Sequence, residues 1–473
     1  MSSEQSVERF DVIVCGGGWA GLCAALTATQ DGASVLLIEK APRLGGSTRL
    51  SGGSVWTWAN LEAMQRAIPG GNPVLQQLVH SRLDADRTWL AEQGLRLSPE
   101  KVFQANGRGQ SIEPEQAIGQ LADQFKQSGG TILLNSALDS LVVAEGGVVG
   151  VRVAQPEGVV QFRSAAVILA TGGFQGNAEL VARYIVPTPD NLYLRANPWS
   201  TGDAFIAATA IGAAASPGLD GFFGHALLAP PAHFDEHHFS EVSQYYGKFS
   251  VALNMRGQRF TDESEGTGEE VLNQSLARQP GGLAFFVVDE EIMGLSYTAD
   301  RVTRAIIERA KRFDAVIVVA DTISELAAEL ASHGLPPAGV VETIEVYNVA
   351  IADGRTDSLL PPRRRWHYPL VHPPFTAVKA KAGITQTTGG LAVDEQMRVL
   401  RRSASSSPMA QSISSVDEYR TTPIRGLYAA GGDVGNIAHI GYMGNLGAGV
   451  VTGRIAGSGA ASLAAAGRHA GPA

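Results

Sequence analysis

The stretch from Phe10 to Lys40 constrains this chain more than any other. It opens with a short apolar run, Val12-Ile13-Val14-Cys15, which reads as a buried strand. Three glycines follow in the order G-x-G-x-x-G, at Gly16, Gly18 and Gly21. Small residues from Leu22 to Gln30 predict a helix, and Ser34 to Ile38 a second strand that ends in the acid Glu39. This order predicts a βαβ unit built to hold a dinucleotide. Gly16 permits the tight turn, Gly18 lets the backbone approach a pyrophosphate, and Gly21 lets helix and strand pack closely. The free N–H groups at the helix start, around Ala20, suit phosphates. Glu39 stands where an acid can accept hydrogen bonds from a ribose, with Lys40 beside it.

A second glycine segment runs from Arg43 to Gly53. A nicotinamide-binding domain has no need of it. An extended flavin-adenine dinucleotide does, because it passes a second loop on its way to the isoalloxazine ring. Gly46, Ser47, Thr48, Ser51, Gly52 and Gly53 are the candidate contacts there.

Farther on, residues 72–127 read as helical and 131–153 as strands with a hairpin. Ala165 to Phe174 reads as a buried strand entering a small-residue turn through Ala170. Thr201-Gly202-Asp203 precedes an alanine-rich helix, with Asp203 near its start. From Ser216 histidines and aromatics become dense. The His233–His238 cluster reads as an exposed loop and not as a zinc site. Residues 251–263 read as strand, turn and strand, and 301–312 and 322–333 as helices. The run Arg363-Arg364-Arg365 reads as solvated charge by default, with an anion contact as the alternative. Nucleotide-domain character returns at about residue 375. Gly426 to Asp433 is a strand entering a glycine turn that ends in an acid. A helix follows from about Leu446, whose start, with Asn445, can face a flavin carbonyl. The expected architecture is α/β: a Rossmann-type FAD-binding domain from residues 1–215 and 375–473, with an inserted α+β cap, residues 216–374.

A net charge of −9 over 473 residues disfavours a nucleic-acid partner. No apolar run reaches the length of a membrane span. The polar first nine residues lack a signal-peptide core, which places the chain in the cytoplasm by expectation. Its two cysteines, Cys15 and Cys23, form no metal or haem motif, so redox chemistry needs an organic cofactor, and no metal is expected.

With these residues in hand, the chain resembles the flavoprotein family of fumarate reductase, succinate dehydrogenase, tricarballylate dehydrogenase and 3-ketosteroid Δ1-dehydrogenase. The resemblance rests on GGGWAG at 16–21, GGSTRLSGG at 45–53, ILATGGF at 168–174, STGDAF at 200–205, GQRFTDE at 257–263, TTGGLAVD at 387–394 and GLYAAGGD at 426–433. It implies FAD between the nucleotide domain and the cap, and hydride transfer between flavin N5 and a carbon near an activating carbonyl. It also implies non-covalent FAD, because the histidine that attaches FAD in membrane-complex members is missing between Gly46 and Ser51.

Three departures bear on substrate. Where fumarate reductases carry an arginine proton donor, counting from Glu263 gives Thr267; where they carry a histidine stands Thr385; and the loop Asn436–Asn445 has no arginine. Lacking these groups, the chain is not expected to take fumarate or succinate, since an unpaired buried charge is costly. In the ketosteroid enzymes a loop tyrosine polarises the ketone, and here it falls on His439 or, with a short gap, on Tyr442. Tyr245, Tyr246 and His225 are candidates for the proton acceptor. The expectation is a dehydrogenase that desaturates a cyclic ketone or keto acid next to its carbonyl, passing electrons to an unknown acceptor. Reduction of an enone or unsaturated carboxylate, a non-redox hydratase or isomerase, and a flavin hydroxylase are the alternatives.

Overall fold

The computed structural model describes residues 7–103, 107–266, 269–298, 301–402 and 422–469. Its main sheet is organised around β1 (Arg9–Cys15), whose residues Val12 to Cys15 are fully buried. A strand buried on both faces needs a parallel partner on each side and helices above and below. One partner is β2 (Val35–Ile38), reached through α1 (Trp19–Gln30). The other is the strand Gly158–Leu169, with Val14 opposite Ile168. The full order is Arg398–Leu400, Pro423–Ala429, Gly158–Leu169, β1, β2, Thr131–Leu133. The hairpin of Ala137–Ala144 and Gly147–Gln155 pairs onto Gly158–Leu169.

The long helix Asn445–His469 packs along α1. Three of its glycines, four residues apart, make this possible. A Cβ on Gly449 would come 3.0 Å from the Trp19 ring, on Gly453 2.4 Å from the Ala20 carbonyl oxygen, and on Gly457 2.5 Å from that of Ala24. The i, i+4 spacing puts all three on one face, so the two backbones can nearly touch.

A second sheet holds Leu227–Leu228, Val251–Asn254, Leu283–Val288, Ile317–Ala320 and Phe375–Lys381. Phe375–Lys381 lies in its middle, pairing with Leu227–Leu228, Leu283–Val288 and Ile317–Ala320. The chain therefore returns to the nucleotide half after Lys381, not at the expected residue 375.

Other local expectations also shift. The helical reading of 72–127 is broken by two strands, Lys101–Phe103 and Gly107–Ser111, between the helices Pro73–Glu92 and Pro114–Gln127. Gly107 and Gly109 lie flat on Trp56, where a Cβ would come within 2.4 Å of its side chain. The second limb of 251–263 is only a single bridge, Leu253 to Arg259. Arg259 instead turns to Glu263, and so does Arg363. Arg363 was expected to be solvated, yet it is fully buried. Its guanidinium donates to Glu263 and to the carbonyls of Lys248 and Ser250. Cys15 and Cys23 are buried and unpaired, and burial pushes both thiols up. Among the described residues no helix is long and apolar enough to cross a membrane, and no cluster of three metal-ligating side chains occurs.

Candidate active site

A cleft of about 850 Å³ runs from the glycine turn after β1 to Phe223, His225, Tyr245 and Tyr297. It lies beyond the carboxyl ends of β1 and β2, where open α/β sheets bind ligands. Gly16 holds φ +112°, and a Cβ there would meet the Ala170 carbonyl oxygen at 2.2 Å. Gly21 sits against the Gly16 carbonyl in the same way, behind the cleft wall. Gly18 is different: it lines the cleft, its φ is −78°, and a Cβ would meet only Gly45 O at 4.0 Å. Its bare edge is open to a ligand, beside Ala20 at the start of α1.

Glu39 lines the cleft at the end of β2, and its carboxylate accepts the N–H groups of Gly17 and Ala41, both at 2.7 Å. Burial raises its pKa against those bonds. Lys40 reaches Asp203 at 2.9 Å and donates to the Thr201 hydroxyl, joining β2 to the helix Asp203–Ala210. In the second glycine segment Gly46, Ser47, Thr48, Ser51 and Gly52 line the cleft. Ser47 accepts from the Asn197 N–H, and the Ser51 hydroxyl donates to Thr48 O at 2.7 Å. Gly53 faces away, where a Cβ would strike Ile112 O at 2.1 Å. Ala170, Asn445 and Leu446 complete the lining, and the Trp19 indole donates to Leu446 O at 2.9 Å. Asp433 is not on the lining. It holds the loop that is, accepting from the backbone of Thr171 and Gly173. Burial raises its pKa to about 6.

At the other end the wall is aromatic. Tyr442 stacks on Phe223 at 3.9 Å between centroids, and Trp56 meets Tyr442 edge-on at 5.4 Å. Phe223 contacts His225, His225 contacts Tyr245, and Tyr245 stacks on Tyr297. Burial pushes the Tyr442 phenol up to about 12. His225 Nδ1 lies 3.2 Å from Glu269 Oε2, and both side chains are nearly covered. Burial and the charges of Arg195 and Arg301 lower the His225 pKa against the pull of Glu269.

Two of the expected catalytic residues lie elsewhere. His439 is off the cleft, with its ring beside Thr388 and 3.8 Å from Asp220, because the loop turns it under Gly218 and Gly221. Tyr246 is a fully buried core residue with its ring against Phe286. Tyr442, Tyr245 and His225 do line the cleft. Thr267 lies outside the described residues.

The sequence reading missed the cations. Arg195 lines the cleft, donates to the Thr385 hydroxyl at 3.2 Å, and keeps a buried Nε without a partner. Arg301 also lines it, 4.0 Å over the Tyr245 ring. Neither forms an ion pair among the described residues. Thr385 stands where the resemblance led one to expect a histidine, but it carries an arginine from another segment. The inference that this cleft lacks cationic donors is therefore corrected. Tyr297 and Glu269 were missed as well. The one signal for Arg195 was its place five residues before the STGDAF stretch.

The bare Gly18 edge, the two helix starts at α1 and Asn445, and the acid at the end of β2 fit an extended FAD along the cleft. The family described as FAD binding domain matches residues 11–447. The chain belongs to this family of FAD-binding flavoproteins. FAD is its cofactor, and the protein is an FAD-dependent oxidoreductase. The flavoprotein is 28% identical to a probable fumarate reductase of Shewanella frigidimarina, over 97% of this chain and 76% of that one. It is 27% identical to the NADH:fumarate oxidoreductase of Klebsiella pneumoniae, over 92% of this chain, and spans only 45% of that longer protein. Its fold matches 3-ketosteroid Δ1-dehydrogenase from Sterolibacterium denitrificans with a TM-score of 0.72 at 19% identity, over 97% of this chain and all of that one.

Proposed function

We propose that this flavoprotein reduces the C=C bond of an unsaturated carboxylate with a flat body. The observation that carries this reading is the pair of cations, Arg195 and Arg301, in one cleft with no ion-pair partner among the described residues. A guanidinium presents a planar fork of donors that matches a carboxylate, and such charge-assisted bonds are the strong ones. Thr385 holds Arg195 in place. The stacked rings of Phe223 and Tyr442 offer a flat surface and keep water from the reacting carbons. Bound FAD supplies the hydride. The arginines and the Tyr442 O–H face the charge that develops on the substrate oxygen as the hydride adds. The reductases among the relatives support this direction.

A second reading, desaturation of a ketone, is favoured by Tyr442, a protonated phenol able to polarise one carbonyl. An anaerobic experiment separates the two. Flavin reduced with dithionite is mixed with cinnamate, fumarate and 2-cyclohexenone, and the return of the oxidised spectrum is timed. Reoxidation by a carboxylate supports the first reading. Reoxidation by the enone alone moves the assignment to the second. No reoxidation by any of the three sinks both.

A further inference from the structure

We propose that His225 and Glu269 form the dyad that exchanges the substrate proton, with His225 as the catalytic residue and Glu269 positioning it. This inference rests on the C=C reading above and names the acid–base group that reading leaves open. His225 lines the cleft between Phe223 and Tyr245. Its Nδ1 is turned to Glu269 at 3.2 Å, which leaves Nε2 as the ring nitrogen to meet a substrate. The contact is one of charge: among the described residues neither Glu269 oxygen nor His225 Nδ1 completes a hydrogen bond. A buried carboxylate beside one imidazole, with Lys248 and Arg301 acting on it only through their charge, is expensive as a purely structural device. It is useful if the imidazole must alternate between neutral and charged forms.

The alternatives in the cleft are weaker on geometry. Tyr245 is held between the Arg301 guanidinium and the Tyr297 ring, with no acid or base at hydrogen-bond distance among the described residues. A guanidinium gives up a proton far less readily than an imidazole, and no carboxylate pairs with Arg301 among the described residues.

In the direction of reduction a hydride and a proton add to the two carbons of the C=C bond. The hydride from the reduced cofactor adds to the β carbon with two electrons. The C=C electron pair moves to the α carbon and its carbonyl. The Nε2–H of charged His225 gives its proton to the α carbon, and the neutral ring keeps its Nδ1–H on the Glu269 carboxylate. In the direction of oxidation neutral His225 takes the α proton. Arg195, Arg301 and Tyr297 face the dyad from the cleft side, and Lys248 also acts on Glu269, while Glu270 acts on Tyr297 and Lys248. Burial raises the Glu269 pKa, but His225, Lys248 and Arg301 hold it below the usual carboxylate value, so it stays ionised to support the imidazolium.

The test is stopped-flow reoxidation of the dithionite-reduced holoenzyme by cinnamate and by 2-cyclohexenone, from pH 5 to 9, in wild type, Glu269→Gln and Glu269→Asp. Reduction needs charged His225, so the wild-type rate falls as pH rises through its pKa. Glu269→Gln removes a negative neighbour. It moves that fall to lower pH by at least about one pH unit and slows the reaction at pH 7 by about 100-fold. Glu269→Asp recovers part of both. Reoxidation by dioxygen and the FAD content stay at wild-type values, which sets the effect apart from a folding defect. Should Glu269→Gln lose its FAD, His225→Gln takes its place and must abolish the pH-dependent fall. A wild-type rate and an unmoved pH profile in Glu269→Gln would overturn the dyad alone. A wild-type enzyme that none of the probes reoxidises overturns the C=C reading, and the dyad with it.

Discussion

Phe223 and Tyr442 stack face to face, their ring centroids 3.9 Å apart and their planes 7° from parallel. One ring comes from the strand Phe222–Phe223 and the other from the loop before the long helix, so the stack closes the cleft between two distant segments. Tyr442→Phe keeps the stack and removes the hydroxyl. Its kcat should fall about 10- to 100-fold with an unchanged melting temperature. Tyr442→Ala should in addition lower stability by about 1 kcal/mol, the worth of the lost aromatic pair. Steady-state kinetics and thermal melts of the two variants check this.

Arg195→Gln tests the substrate group directly. The loss of a charge-assisted bond is worth about 2 kcal/mol, so KM for an unsaturated carboxylate should rise by about 30-fold. KM for an enone should change little. Equal losses on both probes would show that Arg195 shapes the cleft without meeting the substrate.

Gly16 and Gly18 should respond to substitution in opposite ways. Gly16→Ala puts a Cβ 2.2 Å from a backbone oxygen at a positive φ, so the turn itself must shift and the protein should lose stability. Gly18→Val adds bulk only toward the open cleft. It should fold with a near-normal far-ultraviolet spectrum and purify without FAD absorbance.

Two buried carboxylates should bend the pH dependence of stability in opposite directions. Asp433 has a folded pKa near 6, above its unfolded value of 3.8, so the folded state binds the extra proton. Its contribution is favourable below the unfolded value and is lost as pH rises through about 6, by about 3 kcal/mol in all. Glu263 is the reverse: burial raises its pKa, but Arg259 and Arg363 hold it low. Its contribution is present above the usual carboxylate range and is lost as pH falls through the folded value. Urea melts of Asp433→Asn between pH 4 and 8 should show the first slope removed. Glu263→Gln, which strands two buried arginines, should cost about 4 kcal/mol at pH 7.

What could be read in the sequence follows the distance over which each feature is determined. The turn at Gly16 and Gly18, the acid at Glu39 and the strand before Ala170 are set by neighbours within one βαβ unit or one strand, and they lie where their spacing places them. The substrate end is assembled from segments far apart in the chain. Arg195, Arg301 and Glu269 reach the cleft only through packing, so counting along one motif could not show that Thr385 carries an arginine. His439 and Tyr246 lie off the cleft for a related reason. A polar ring in a glycine loop and a tyrosine in an aromatic run look alike whether they face a ligand or the core, and only the turn of the loop under Gly218 and the packing on Phe286 decide.

The glycine face of the helix Asn445–His469 also sets a schedule for biosynthesis. This helix covers one side of α1 and places Asn445 at the cleft, yet it is made more than 400 residues after α1. A ribosome-bound chain that has reached residue 440 lacks this helix and has no lid over α1. The apolar flank of α1 must wait, exposed, for its partner. Nascent chains halted before residue 445 should therefore recruit chaperones and fail to retain FAD, and both defects should vanish together once the helix has emerged.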